Sequence, residues 1–137
     1  MNKEQFLAMS LNSKLKLISD NGDEQFISTL HGITVDKYAY RLFDDYGSEL
    51  EFYLSILHPL SDLTKPITHN GETFVPSRKF GLEPNQVNLN HLMNLIQKGY
   101  VSITEFIILI EYHFDIANLI EKGEAIDVNT LQTNPYA

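Results

Sequence analysis

The stretch SITEFIILI, residues 102–110, decides the fold class because it is the strongest apolar segment of the chain. Taken alone, a short apolar run rich in β-branched residues fits a buried strand as well as a helix. Ser102 and Glu105 have the spacing of a capping box, which opens a helix. Apolar residues keep helical spacing beyond the run, so the sequence predicts a largely buried helix to about Ile120, with Gly123 as its terminator.

A second helix is predicted just upstream, and a third at the start of the chain. One apolar face at helical spacing is formed by Leu89, Leu92, Met93 and Ile96. Gly99 follows this face at the place where a helix commonly ends in a left-handed residue. Near the N-terminus, Asn2 and Gln5 have capping-box spacing, which predicts a short helix over residues 3–11.

The first half of the chain predicts antiparallel strands. Residues 14–30 indicate a hairpin around Asn21-Gly22, a pair that favours a type I′ turn because both positions need a positive φ. Residues 50–56 alternate apolar and polar side chains, as a half-buried strand does. Together, residues 14–57 indicate an antiparallel β-meander.

A second Asn-Gly pair, Asn70-Gly71, predicts a small extra hairpin. After the helices, residues 125–131 predict an extended tail segment and residues 134–136 a frayed end. The sequence thus predicts an α+β fold, in which the meander and the extra hairpin pack against the C-terminal helices and the short N-terminal helix. The 137 residues are expected to form a single domain spanning 1–137.

Charge and hydropathy restrict the expected partners and the compartment. Ten basic against eighteen acidic residues give the chain a net charge of −8. Binding to nucleic acid or to anionic membranes depends largely on Lys and Arg, so neither partner is expected. No apolar run approaches the ~20 residues of a transmembrane helix, and the first residues lack the apolar core of a signal peptide. A cytoplasmic protein with a protein partner is therefore expected.

The inventory of motifs excludes several chemistries. The chain has no Cys, which excludes disulfides, thiolate metal sites and cysteine nucleophiles. None of the patterns GxxxxGK[ST], GxGxxG and GxSxG occurs. No two histidines have the spacing of an HxH, HExxH or i, i+4 pair, so neither a metal site nor a cofactor is predicted. The five histidines are His31, His58, His69, His91 and His113.

Catalytic candidates lie in two segments. His58 and Asp62 stand close together in the first. In the second, Glu111 and Asp115 are four residues apart and would be neighbours on one helical face, where paired carboxylates can serve acid/base chemistry. His113 and Asp115 would point about 200° apart on a helix and would not share a site directly. The structural alternatives are a turn cap, solvent-facing carboxylates and a hydrogen-bonded helix histidine.

Four tyrosines cluster in the predicted meander and are candidates for an interaction surface, because Tyr combines a large contact area with a polar tip. The alternative is that they cover the rim of the core. These residues are Tyr38, Tyr40, Tyr46 and Tyr53.

Several strings, specific in combination, resemble a family of small uncharacterised bacterial proteins, many of them encoded in phages or prophages of gut bacteria. The strings span nearly the whole chain, with residues 30–50 outside the resemblance. They are FLAMSL at 6–11, PLSDLTK at 59–65, HNGETFVP at 69–76, YHFDI at 112–116 and AIDVNTL at 125–131. The resemblance implies a phage or mobile-element setting and no mechanism.

Three functions fit the sequence. The first is a non-catalytic interaction module, a phage accessory factor that binds a host or phage protein. The second is a small hydrolase or cation-dependent enzyme that uses His113 and Asp115 with a residue near His58. The third is an acidic mimic of DNA, which would need carboxylates arrayed along one face.

Overall fold

The computed structural model describes residues 13–18, 25–35, 40–49 and 53–137. Within these ranges, four strands form the central sheet in the order β2-β1-β5-β8. The strands are β1 (Lys14–Ile18), β2 (Gln25–Thr29), β5 (Tyr53–Leu57) and β8 (Ala125–Asp127). The predicted helix over residues 3–11 and the turn at Asn21-Gly22 lie outside the described residues.

β5 is one of the two inner strands of the sheet, and three of its consecutive residues, 55–57, are buried. It pairs antiparallel with β1, Leu15 opposite Ser55, and parallel with β8, Ser55 beside Ala125. A strand that is covered on both faces is typically a continuous buried run. Of the predicted extended segment 125–131, residues 125–127 form this parallel strand at the sheet edge, whereas Val128–Thr130 is a short 3₁₀ helix. The α+β class is confirmed.

The strand order differs from a simple meander. β3 (Gly32–Val35) and β4 (Tyr40–Phe43) form a separate antiparallel pair, and β5 pairs with β1 instead of β4. The change of partner takes place within two residues. The Leu30 N–H donates to Ser13 O on the β1 side, whereas the His31 N–H donates to Phe43 O on the β4 side. The chain therefore leaves the central sheet just before Gly32.

The predicted extra hairpin is confirmed. β6 (Ile67–His69) and β7 (Glu72–Phe74) pair antiparallel, with Ile67 opposite Phe74. Asn70 has φ 49° and Gly71 φ 82°, the two positive values that a type I′ turn requires. The segment before it, Leu60–Thr64, is a short 3₁₀ helix.

Two of the three α-helices in the described residues follow the sequence pattern, the second in its apolar face and its end, and the third in its start. α1 (Pro76–Lys79) is a single turn. α2 (Gln86–Lys98) buries Leu89 and Leu92 and ends at Gly99 with φ 73°. α3 (Ile103–Glu111) begins with the complete capping box of Ser102 and Glu105. No helix in the described ranges has both the length and the apolar character needed to cross a membrane.

The predicted end of α3 is wrong, since the helix stops at Glu111 and not near Ile120. His113 takes a left-handed φ of 59°, and the next N–H, that of Phe114, donates to Leu109 O at 3.0 Å. With the His113 N–H donating to Ile110 O, these bonds form a Schellman motif without the usual glycine. Phe114 is thereby turned into the core against Leu109.

The core consists of several clusters, and the largest of them packs the 3₁₀ helix, the β6–β7 hairpin, α2 and α3 together. Its largest cluster of buried residues contains Leu63, Ile67, Leu89, Leu92, Leu109 and Phe114. A second cluster joins the sheet to the C-terminus through Ile56, Val128 and Tyr136. The predicted frayed end is therefore wrong: only 3% of the Tyr136 surface is exposed.

Candidate functional site

The backbone brings the two segments with catalytic candidates side by side. Immediately after β5, the His58 N–H donates to His113 O at 2.9 Å. The Asp115 N–H then donates to His58 O, also at 2.9 Å. His58 and Phe114 thus form an isolated parallel β-bridge, with the same relative chain direction as the β5–β8 pair.

His58 and Asp62 form a buried pair. Pro59 and the 3₁₀ helix turn the chain so that His58 Nδ1 lies 3.5 Å from Asp62 Oδ2. Asn129 Nδ2 donates to the same oxygen at 2.8 Å, and Lys65 Nζ lies 4.0 Å from Oδ1. Burial alone raises the pKa of the Asp62 carboxyl, but the contacts with His58 and Asn129 and the charge of Lys65 together hold it below its usual value.

This pair lines a cavity of about 260 Å³ whose other polar lining residues are Lys65, Thr68, Asn129 and Asn134. A carboxylate beside an imidazole is the orienting half of many catalytic sites. Both ring nitrogens of His58 are, however, shielded from solvent and have no hydrogen-bond partner within the described part of the chain. A substrate in the cavity therefore cannot reach them in this conformation.

Asp115 supports the backbone and does not join this pair. Its Oδ1 accepts from the Leu119 N–H at 2.8 Å and its Oδ2 from the Ile120 N–H at 2.9 Å. Burial raises the pKa of the Asp115 carboxyl, while these two hydrogen bonds oppose the rise. The carboxylate caps the turns that follow α3 and lead to β8.

The prediction that Glu111 and Asp115 are neighbours on one helical face is wrong. It assumed that the helix continues past residue 115, whereas α3 ends at Glu111. Glu111 is exposed and Asp115 is buried. His113 and Asp115 also serve different neighbours, since the imidazole packs against Tyr136 and the carboxylate caps backbone N–H groups.

Tyr136 is the residue that sequence reasoning missed. Its ring stacks on His113 with 4.6 Å between centroids and an interplanar angle of 18°. The rings of His69 and His58 lie 5.8 and 5.9 Å from it. We call these three histidines the histidine cage. The available sequence signal was Asn134-Pro135, since the Asn134 side chain accepts from the Tyr136 N–H and fixes a turn there.

The hydroxyl of Tyr136 joins two strands of the central sheet. The β1–β5 register places Lys14 opposite Ile56, one step beyond the Leu15–Ser55 pair. Tyr136 Oη accepts from the Lys14 N–H at 2.8 Å and donates to Ile56 O at 2.6 Å. The hydroxyl group thus bridges Lys14 and Ile56 at the next position of the β1–β5 ladder. Burial raises the pKa of this hydroxyl group.

Burial favours the neutral form of two of the cage histidines, His113 and His69. It lowers the pKa of His113 to about 3, with smaller contributions from the neighbouring His69 and His58 and from Lys14. Burial and His58 also lower the pKa of His69, against the opposing charges of Glu111 and Glu72. Within the described residues, no group of three or more His, Asp or Glu side chains is arranged to hold a metal ion.

A second feature lies on the outer side of α3. Ile103 and Ile107, one turn apart, are 78% and 56% exposed, and the preceding Tyr100 is 73% exposed. We call these three residues the α3 surface. Beside it runs a groove of about 570 Å³ between the end of α2, the start of α3 and residues 116–118.

The predicted tyrosine surface is only partly described. Tyr38 lies outside the described residues, and for Tyr40 only the backbone position in β4 is described. Tyr46 is 88% exposed in the turn after β4. Tyr53 is half-buried and packs against the Leu15, Leu30 and Leu42 cluster. The two described side chains therefore have different surroundings.

No family model, curated protein or solved structure matches this chain.

Proposed function

We propose that this protein is a non-catalytic interaction module that binds another protein through the α3 surface. The carrying observation is that Tyr100, Ile103 and Ile107 are exposed beside an apolar groove of about 570 Å³. Single exposed apolar residues are ordinary on protein surfaces. Large apolar side chains gathered next to a concave surface are typical of sites where partners bind.

The inner face of α3 explains why the outer isoleucines are not needed for folding. Leu109 is buried in the main core, and Phe106 lines the floor of the groove with Ile116. Ile103, which also lines the groove, and Ile107 are mostly in water. Their apolar area is therefore still available to contribute binding free energy, about 25 cal/mol per Å² removed from water.

The partner that we propose is a protein segment with apolar side chains flanked by basic ones. Glu105 and Glu111 lie on α3 itself, and Glu121 accepts a hydrogen bond from Asn118, which lines the groove together with Lys98. The whole chain carries a net charge of −8, so a second copy of it would be repelled. Opposite charge around an apolar centre favours both encounter and the correct orientation.

The setting that we propose is the bacterial cytoplasm during the life of a phage or prophage, where such a module would act as an accessory factor. This proposal rests on the sequence strings that resemble proteins of phages and prophages of gut bacteria. The excess of acidic residues supports a protein partner over nucleic acid. It equally suits the acidic mimic of DNA, which stays an alternative.

The experiment compares the wild-type chain with two charge-introducing variants as affinity baits in lysate of a gut bacterium that carries a prophage. Ile103→Glu/Ile107→Glu alters the α3 surface. Val87→Glu, at a 76% exposed position of α2, is the matched control. We expect a protein that the wild type and Val87→Glu retain and that the double variant loses, and the purified partner should then bind the wild type at least tenfold more tightly than the double variant.

Equal retention by all three baits would contradict the proposal, and so would a partner whose affinity the double variant does not change. The salt dependence of binding distinguishes the proposed interaction module from an acidic mimic of DNA. Binding through carboxylates alone weakens steeply with ionic strength because exposed charges are screened over ~10 Å at 0.1 M salt. Binding that rests mainly on the α3 surface persists at high salt.

The enzyme alternative has one observation in its favour, the contact of His58 with Asp62 at a polar cavity. Its test is a hydrolase screen with the wild type and with His58→Gln. An activity that the wild type shows and His58→Gln lacks would favour the enzyme over the interaction module.

A further inference from the structure

The last seven residues, 131–137, lie across the molecule as a strap held at two places. On one side, Tyr136 Oη bridges the Lys14 N–H and Ile56 O of the central sheet. On the other, the Asn70 N–H donates to Tyr136 O at 2.7 Å, and Asn134 Nδ2 donates to Thr68 O at 3.0 Å. We call residues 131–137 the C-terminal strap. It joins the central sheet to the β6–β7 hairpin.

The strap is anchored on groups that can change charge. The Tyr136 ring packs against all three imidazoles of the histidine cage. Within the described residues, the buried ring nitrogens that lack a hydrogen-bond partner include Nδ1 of His69 and Nδ1 of His113, as well as both nitrogens of His58. A proton that binds Nδ1 of His69 or of His113 has no acceptor among these described residues.

The charged groups around the cage do not compensate such a proton evenly. Asp62 faces His58 from the 3₁₀ helix, with Lys65 beyond it. Glu72 of β7 and Glu111 of α3 act on His69, and the Tyr112 ring meets His69 edge-on at 5.1 Å. Within the described part of the chain, the groups that act on His113 are His69, His58 and the positively charged Lys14, with no carboxylate among them. Within the cage, a positive charge is therefore least compensated on His113, the ring on which Tyr136 stacks.

We propose that the C-terminal strap is an acid-released clasp: protonation of His69 and His113 expels the Tyr136 ring and frees residues 131–137 while the rest of the fold stays intact. Release uncovers the cavity at His58 and Asp62. It also leaves the Lys14 N–H and Ile56 C=O without their shared partner. This inference is independent of the proposed function, because the strap and the α3 surface use different residues.

The direction of the pH dependence follows from where the protons bind. The closed cage holds the pKa of His113 at about 3 and lowers that of His69, whereas a solvated histidine has an ordinary pKa of about 6.5. Between these values the open state binds more protons than the closed one. The clasp is therefore fully stable above about pH 6.5 and loses stability as the pH falls, with the opening constant rising about tenfold per pH unit for each histidine that gains a proton.

Two backbone amides report on the strap directly. The Lys14 and Asn70 N–H groups both donate to Tyr136, to Oη and to O respectively. Hydrogen exchange of the ¹⁵N-labelled full chain, followed by NMR from pH 7 to pH 4.5 and corrected for intrinsic rates, measures their protection. We expect their protection to fall by about tenfold to a hundredfold per pH unit below pH 6.5. Amides inside α2, such as that of Leu92, should keep theirs.

Substitutions of two cage histidines test whether these residues cause the pH dependence of amide protection. His113→Asn removes a titrating ring with a residue that tolerates the left-handed φ, and His69→Phe keeps an aromatic ring that cannot titrate. Each should reduce the pH slope of the Lys14 and Asn70 protection by about one factor of ten per pH unit. His91→Gln, at an exposed position of α2, is the matched control and should leave the slope unchanged.

Two results would overturn the clasp. In the first, the Lys14 and Asn70 amides lose protection together with the α2 amides at every pH, which means that only global unfolding opens them. In the second, His113→Asn and His69→Phe both keep the slope of His91→Gln.

Discussion

The C-terminal strap with its histidine cage and the α3 surface depart in opposite ways from the usual placement of side chains. Beneath the strap, polar groups such as His58, Asp62 and His113 are buried. On the α3 surface, large apolar groups are in water. A buried polar group is costly unless its neighbours hold it, whereas an exposed apolar group leaves the folded state almost unaffected. The first region should therefore determine stability, and the second should determine association.

The largest effect expected from this comparison comes from Tyr136→Ala. The change removes a buried ring from the cage and both hydrogen bonds of Oη to the central sheet. Truncation of a buried aromatic residue costs about 3–5 kcal/mol of unfolding free energy. Urea unfolding followed by circular dichroism measures the loss.

Tyr46→Ala is the matched control, because that ring is 88% exposed and its loss should change stability by no more than about 0.5 kcal/mol. Tyr136→Phe keeps the ring and should lose about 1–3 kcal/mol, since a buried N–H and a buried C=O lose their partner. Similar losses in Tyr136→Ala and Tyr46→Ala would mean that the strap does not stabilise the fold.

Local signals made part of the fold predictable from the sequence. The turn of the β6–β7 hairpin needs only Asn70-Gly71, and the start of α3 needs only Ser102 and Glu105, because each pattern acts within four residues. The end of α3 lacked such a signal. His113 takes the left-handed position that glycine usually occupies. The apolar residues after it pack into the core from turns, so their spacing did not reveal that the helix had ended.

The candidate site was predictable only in its parts. His58, Asp62 and His113 were named from the sequence, but the contact that organises them is made by Tyr136. That residue reaches Ile56 and Lys14 across 80 and 122 positions of the chain. The prediction of the strand order was wrong for the same reason. Hydrophobic patterns indicate that β5 is buried, but they do not indicate which strand it pairs with. Neither long-range choice has a local signature in the residues concerned.

The next prediction concerns Asp115, which the sequence offered as a catalytic acid or base and which caps backbone N–H groups in the structure. Asp115→Ala should lower the unfolding free energy by about 1–3 kcal/mol, because the Leu119 and Ile120 N–H groups lose their acceptors. Asp115→Asn keeps one acceptor oxygen and should lose less. Equal losses in the two variants would contradict this prediction, because the acceptor oxygen that Asn keeps would then stabilise neither N–H group.

A smaller effect is expected at the start of α3, next to the α3 surface. Ser102→Ala removes the acceptor for the Glu105 N–H and should cost about 1 kcal/mol. Asn85→Ala, which removes the corresponding cap of α2, is the matched comparison and should cost a similar amount. Thermal unfolding of both variants measures the difference, and a loss at Ser102 several times that at Asn85 would mean that residues beyond the cap depend on it.

The smallest effect on stability is expected where the largest effect on binding is proposed. Ile103→Ser/Ile107→Ser should change the unfolding free energy by no more than about 0.5 kcal/mol, because surface substitutions away from caps and cores are nearly neutral. Leu109→Ala, on the buried side of the same helix, should lose about 2–5 kcal/mol. Urea unfolding of the three proteins makes the comparison within one helix. If the isoleucine pair proves as costly to replace as Leu109, both residues belong to the core and the proposed binding surface loses its basis.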